Sequence, residues 1–317
     1  MAATVLVTGG TGYIGSYVAA ELVDHGHDVV AFDLATDPWR LERLGVAADV
    51  TVIGGDVTDP TAVIRAAKET DTSHVVHLAA LLTTGARANP RAAMAVNVGG
   101  TNNVLEAART LDSVERVAWA SSAAAYAPPA NYDGLVTEAD LVAPDTLYGA
   151  TKEYNEHQAR AYFEEYGVSP VALRPTVAYG PYRETGGSAF LVDLIERPAL
   201  GEAFSVEYGD QLVDWQYAKD IAQAFRKAAF TPEEELSQRV YNVAGETTTI
   251  ADAASVVESV IPDAEVEVTD EGELPWTQTL DTTAAREDLG YESAYDLEAG
   301  VREYVNVLRE EEGLEPV

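Results

Sequence analysis

The chain has 317 residues, 47% of them apolar, enough to bury a large core in one domain or two. It has no cysteine, which excludes a disulfide framework and a thiolate metal site, and its five histidines show no metal-hydrolase spacing, so no metal is expected. Asp and Glu number 53 against 20 Lys and Arg, a net charge of −33 that makes nucleic acid and anionic membrane surfaces poor partners.

Only four of the basic residues are lysines (Lys68, Lys152, Lys219 and Lys227), and the acids are dispersed along the chain. High net charge is a lever that halophiles use, so a protein of a high-salt cytoplasm is expected. No basic segment precedes the first strand and no apolar run is long enough to span a bilayer, so a soluble protein without a signal peptide is expected.

Residues 4–15 read Thr-Val-Leu-Val-Thr-Gly-Gly-Thr-Gly-Tyr-Ile-Gly. Residues 5–7 have the pattern of a buried parallel strand, and an apolar helical pattern follows over 13–22. Gly9, Gly12 and Gly15 join the two at three-residue spacing, G-x-x-G-x-x-G rather than G-x-G-x-x-G. A strand entering a helix through glycines suits a dinucleotide pyrophosphate, which needs a tight turn, close backbone approach and a free helix N-terminus. A second strand over 28–33 ends in Asp33. An acid there hydrogen-bonds an adenosine ribose and repels a 2′-phosphate, favouring NAD over NADP, although Arg40 and Arg43 lie nearby.

Strands are predicted over 50–54, 74–78, 114–120 and 171–173, and helices from Pro60 (capped by Asp59 or Thr58), over 89–109 and over 147–166. This alternation predicts an α/β fold, a Rossmann-type doubly wound parallel sheet. From Thr176 the rhythm changes. Helices are expected near 188–197, 218–230, 250–261 and 296–309, and short strands near 204–207, 213–217, 240–244 and 265–268. The expected organisation is a dinucleotide-binding domain over 1–175, rejoined by 214–245, with most of 176–317 in a smaller α/β lobe closing over the strand ends.

Tyr148 and Lys152 stand four apart on one predicted helix and so share a face, while Ser122 follows the fifth strand. Phenol, ammonium and hydroxyl converging on a nicotinamide suit alcohol–carbonyl redox chemistry. A phenol with a free pKa of about 10 needs a nearby cation to act as a base, and Lys152 can supply it.

These stretches together resemble the extended short-chain dehydrogenase/reductases, the NAD-dependent epimerase/dehydratase group. The matching runs are 8–15, 55–57, 77–80 (His-Leu-Ala-Ala), 97–101 (Asn-Val-Gly-Gly-Thr), Ser121-Ser122 with Tyr126, 148–152 (Tyr-Gly-Ala-Thr-Lys), Arg174-Pro175 and 179–181 (Tyr-Gly-Pro). The resemblance implies bound NAD, with Tyr13, Ile14 and Pro175 beside the glycines among its contacts. It implies Asp56 and Val57 at the adenine, Ala79 and Ala80 along the cofactor, and Asn97 supporting the site. Tyr148 becomes the base, Ser122 its partner on the substrate oxygen, and Lys152 a ligand of the nicotinamide ribose. It also implies a homodimer through the 89–109 and 147–166 helices.

Within the group, dehydratases and decarboxylases carry an acid just after the catalytic Ser or Thr; here Ala123 and Ala124 follow Ser122. Nucleotide-sugar epimerases carry an Asn where Val177 stands and an Arg where Val213 stands, and a second Arg near Asp270 and Glu271. That is a poor cradle for a diphosphate. The run 77–84, Asn89-Pro90 and 185–187 (Thr-Gly-Gly) are similar instead to the group's small-substrate sugar and threonine dehydrogenases. The expectation is hydride transfer to NAD from a small sugar, uronate, polyol or hydroxy acid, with Thr83, Arg87, Ser122, Val177 and Arg183 toward the substrate. The alternative is a nucleotide-sugar 4-epimerase using tightly bound NAD.

Overall fold

A computed structural model describes residues 2–272, 274 and 279–317. The first half runs β1 (Thr4–Thr8), α1 (Tyr13–Asp24), β2 (Asp28–Asp33), α2 (Trp39–Arg43), β3 (Val50–Gly54), α3 (Pro60–Glu69) and β4 (His74–His77). Then come α4 (Thr83–Ala88), α5 (Pro90–Ala93), a π-helical turn (Met94–Gly100), α6 (Thr101–Thr110), β5 (Arg116–Ala120), α7 (Leu147–Tyr166) and β6 (Pro170–Arg174). The second half runs β7 (Val177–Tyr179), α8 (Asp193–Ala199), β8 (Phe204–Val206), β9 (Leu212–Tyr217), α9 (Ala218–Phe230) and β10 (Val240–Asn242). It ends with β11 (Glu246–Thr249), α10 (Ile250–Val260), β12 (Val266–Val268), α11 (Thr283–Leu289) and α12 (Leu297–Glu311).

Seven strands form one parallel sheet in the order β3-β2-β1-β4-β5-β6-β10. The period of two along each strand distributes its side chains to two cores. Val5, Val7, Val29, Ala31, Val171 and Leu173 pack toward α1 and α9 on one face. Leu6, Val30, Phe32, Val117, Trp119 and Ala172 pack toward α3, α6 and α7 on the other. Both faces are covered, which is why these strands read as nearly continuous apolar runs. A third core joins α8, α10 and α12 to β7 and β9, with Leu194, Ile195, Trp215, Val257, Val301 and Tyr304 at its centre. Its strands form the small sheets β11-β9-β7 and β12-β8.

The predicted helices 147–166 and 218–230 have the observed bounds. The predicted helix 89–109 is helical without interruption over 90–110, with a π-helical stretch, Met94–Gly100, inside it around Asn97. The elements α2, α4, β7, β11 and α11 were not anticipated; none exceeds seven residues, too short to display a period. Of the two candidate caps before Pro60, Asp59 is the one whose side chain accepts from a helix amide, Thr61 N at 2.9 Å. Among the described residues no helix is long and apolar enough to cross a membrane.

Candidate active site

A cleft of about 1070 Å³ runs along the C-terminal ends of β1, β2, β4, β5 and β6 and is walled on its far side by β7 and by residues 183–189. This is where open parallel sheets hold ligands. Its floor is the glycine loop. Gly9 has φ +73°, and a Cβ on it would come within 2.9 Å of Ala79 N. A Cβ on Gly15 would lie 1.9 Å from the Gly9 carbonyl oxygen, so α1 can start this close to the loop only with glycine there. Gly12 caps α1 with no side-chain hydrogen bond, and the first turn holds no acid. The helix therefore offers unpaired amides and its positive end to the cleft. Both features suit a dinucleotide pyrophosphate, with Tyr13 and Ile14 also lining the cleft.

Asp33 ends β2 at the cleft, where its carboxylate accepts from Thr11 N and Ala35 N, both at 3.2 Å. Asp56, Val57, Ala79, Ala80 and Pro175 line the cleft as well. The two arginines that could reverse the cofactor preference are engaged elsewhere. Arg40 pairs with Glu184 and stacks 4.1 Å from the Trp39 ring centroid, and Arg43 meets Glu311 at 3.0 Å. NAD should therefore bind at least roughly tenfold more tightly than NADP, because Asp33 repels a 2′-phosphate and both Arg40 and Arg43 are already paired. Calorimetric titration of both oxidised cofactors checks this. Tighter NADP binding would mean that Arg40 leaves Glu184.

Tyr148, Lys152 and Ser122 line the same cleft. Thr146 caps α7 by accepting from Gly149 N at 3.0 Å, which sets Tyr148 in the first turn and Lys152 one turn on. The Lys152 ammonium lies 5.4 Å from the Tyr148 ring centroid and donates to the Ala120 carbonyl oxygen at 2.6 Å. Burial pushes the Tyr148 phenol up to about 12, and a hydrogen bond with Ser122 acts the other way. Burial pulls the Lys152 ammonium down to about 8, against the attraction of Glu156. The sequence assigns the lowering of the phenol to Lys152; here the Ser122 hydrogen bond is the influence that opposes burial.

Asn97 and Arg87 do not line the cleft. The Asn97 side chain accepts from Leu81 N (2.8 Å) and donates to Leu81 O (3.0 Å) and Thr151 (3.1 Å), so it fixes the strand-to-α4 turn from behind. Arg87 is exposed on α4. Thr83, Val177, Val213 and Arg183 do line it. Asp270 and Glu271 lie by the β8–β9 turn, where Tyr208 N donates to the Glu271 carbonyl and Asp270 sits against Gly209, and they are absent from the cleft wall. Their expected repulsion of a diphosphate loses its basis. The stretch 272–281 to which they lead falls partly outside the described residues.

Glu156 was missed by the sequence reading. It accepts from Ser121 at 2.5 Å and takes a bidentate fork from Arg174 at 2.8 and 2.6 Å, behind the Ser122 turn. The signal was available, since Tyr148, Lys152 and Glu156 follow one another at i, i+4 and i+8. Asp214 is buried at the cleft edge, accepting from Thr176, Gly245 N and Thr247.

Comparison with known sequences decides the family. The sequence model described as "NAD dependent epimerase/dehydratase family" matches residues 5–244. The chain belongs to the NAD-dependent epimerase/dehydratase family. Its relatives within this family divide between two activities. It is 28% identical to UDP-glucuronate 4-epimerase 4 of Arabidopsis thaliana, over 95% of this chain and 74% of that protein. It is 30% identical to D-erythronate dehydrogenase of Cupriavidus necator, over 81% of this chain and 80% of that one. Among solved structures, an L-threonine dehydrogenase from Cupriavidus necator in its holo form superposes with a TM-score of 0.85 at 26% identity, covering 95% of this chain and 98% of that one. As a member of this family the protein is an NAD-dependent enzyme of the extended short-chain dehydrogenase/reductase type, and the glycine floor of the cleft has the form such a cofactor needs.

Proposed function

We propose that the protein is an NAD-dependent dehydrogenase that oxidises a secondary hydroxyl of a small, non-nucleotide substrate. The observation that carries this reading is the pair Val177 and Val213, apolar side chains on the cleft wall at the two positions where nucleotide-sugar epimerases resemble one another in carrying Asn and Arg. Small substrates of the erythronate and threonine dehydrogenases it resembles support it. An epimerase must hold its keto intermediate while the ring turns over, and a diphosphate tether needs charge-assisted donors of the Arg kind.

In this reading the Tyr148 hydroxyl moves the substrate proton, and Ser122, which lines the same cleft, holds the substrate oxygen. Lys152, steadied by the Ala120 carbonyl, places an ammonium beside the phenol and would hold the nicotinamide ribose when the dinucleotide binds. The nicotinamide, when bound, supplies the hydride acceptor. Ala123 and Ala124 follow Ser122, where the dehydratases of the group carry an acid.

The test is to supply NAD with small hydroxy compounds and, separately, with UDP-glucose and UDP-galactose. Net NADH release from the former is expected, with no interconversion of the latter on chromatography. The match to the UDP-glucuronate epimerases supports the other reading. Interconversion at ordinary enzymatic rates would establish it and end the dehydrogenase reading.

We also propose a homodimer suited to high salt. Met94, Tyr154, Phe163 and Tyr166 remain exposed on the α5–α6 and α7 stretches, and the charge of −33 repels itself when screening is weak. Light scattering in molar salt should give the mass of two chains. The Tm should fall on desalting, as the Debye length grows from about 3 Å at 1 M to about 10 Å at 0.1 M. A Tm that stays level or rises would contradict the salt requirement.

A further inference from the structure

Two cations line the cleft among its described residues, Lys152 and Arg183. Lys152 is tied to Ala120 O. Arg183 is half-buried, and its three nitrogens donate to neutral groups: the Ala178 carbonyl, the Ser188 hydroxyl at 2.7 Å and the Thr185 carbonyl at 3.4 Å. No carboxylate among the described residues pairs with it. Other guanidiniums withdrawn from solvent do find one, Arg40 with Glu184, Arg116 with Glu233 and Arg174 with Glu156. In a chain with 53 acids, a sheltered guanidinium left without a counter-charge on the wall of the main cleft marks a place for an anion from outside. A guanidinium has five N–H donors in a fork, so two remain for a bidentate partner.

The loop is shaped around this group. Gly186 has φ +119°, and a Cβ on it would stand 2.9 Å from Arg183 Nη2 and 3.7 Å from Leu82 Cδ1. Leu82 lines the cleft just before α4, so the Gly186 backbone brings the loop of Arg183 close to the segment that follows β4. The neighbouring wall residue, Val177, is apolar and adds no second anion donor.

We propose that Arg183 is the anion anchor of this cleft and that the substrate is a hydroxyl-bearing carboxylate held by its carboxylate group. This rests on the dehydrogenase reading and narrows it, excluding neutral sugars and polyols.

The experiment measures binding to the NAD-loaded full chain by calorimetry, alongside turnover, for matched pairs: glycerate with glycerol, erythronate with erythritol, galacturonate with galactose. UDP-glucose, whose sugar is neutral, forms a further arm. At least one acid should bind, its neutral partner should bind roughly 10–100-fold more weakly, and Arg183→Gln should erase that difference. Arg183→Lys should restore part of the binding, since it keeps the charge and loses the fork. NAD affinity of each variant reports folding, and Gly186→Ala, which crowds Nη2, should weaken acid binding in the same sense.

Acids that bind no better than their neutral partners, or that bind equally well to a folded Arg183→Gln, overturn the proposal. So does UDP-glucose binding that depends on Arg183, which would assign the anion to a diphosphate. Arg183-dependent acid binding without NADH formation would uphold the anchor and defeat the dehydrogenase reading. Turnover that is indifferent to Arg183 would do the reverse.

Discussion

Tyr148→Phe should lower kcat by about 10²–10⁴-fold, the range for a lost general acid–base group, while leaving NAD affinity within a factor of about two. The substitution removes only the phenolic oxygen. The ring stays to pack on α7, and the glycine loop, Asp33 and Lys152 are untouched. Ser122 keeps its hydrogen bond from Ala124 N at 3.1 Å, so the turn after β5 should hold. Stopped-flow or steady-state NADH absorbance gives kcat, and protein fluorescence titration gives the NAD affinity. If Tyr148→Phe keeps most of its kcat, the proton carrier is another group, and Ser122 is the first to examine.

The second large effect concerns pH. The Lys152 ammonium lies 5.4 Å from the Tyr148 ring centroid on the same cleft wall, so the protons of both groups are counted together. With the phenol near 12 and the ammonium near 8, the first proton leaves the pair at about 8. Alcohol oxidation needs the pair to accept a proton and so to have lost one beforehand. Oxidative kcat/KM should therefore rise about tenfold per pH unit below about 8 and level off above it. Carbonyl reduction should run oppositely, level at low pH and falling above about 8. Lys152→Arg leaves the phenol as the only member able to lose its proton, because a guanidinium stays charged. Its oxidative midpoint should move up by more than about one unit, and its rate at neutral pH should fall more than about tenfold. A flat wild-type profile between about pH 6 and 9, or an unmoved midpoint in Lys152→Arg, would remove Lys152 from the proton inventory.

Much of the site was legible in the residues because it depends on local rules. Gly9 and Gly15 stand where only glycine allows the turn and the close approach of helix to loop, and such a need shows in any single chain. Tyr148 and Lys152 share a face because a helix repeats every 3.6 residues. Asp33 ends a strand whose continuous apolar run over 29–32 is plain. The sheet, its parallel sense and the long helices followed from the same periods.

Only the tertiary structure decided which charges are spent and which are free. In the sequence, Arg40, Arg43, Arg87 and Arg183 are equivalent cations near the predicted cleft. Folding ties Arg40 to Glu184 and Arg43 to Glu311, leaves Arg87 in solvent, and shelters Arg183 without a carboxylate partner among the described residues. Those contacts join residues more than a hundred positions apart, except where Arg183 meets its own loop, and no periodicity encodes them. Asp270 and Glu271 moved away from the cleft for the same reason, since the pairing of β12 with β8 carries them to the β8–β9 turn. The proton order of Tyr148 and Lys152 was likewise set by burial, which depends on what packs around a side chain and not on which residues flank it.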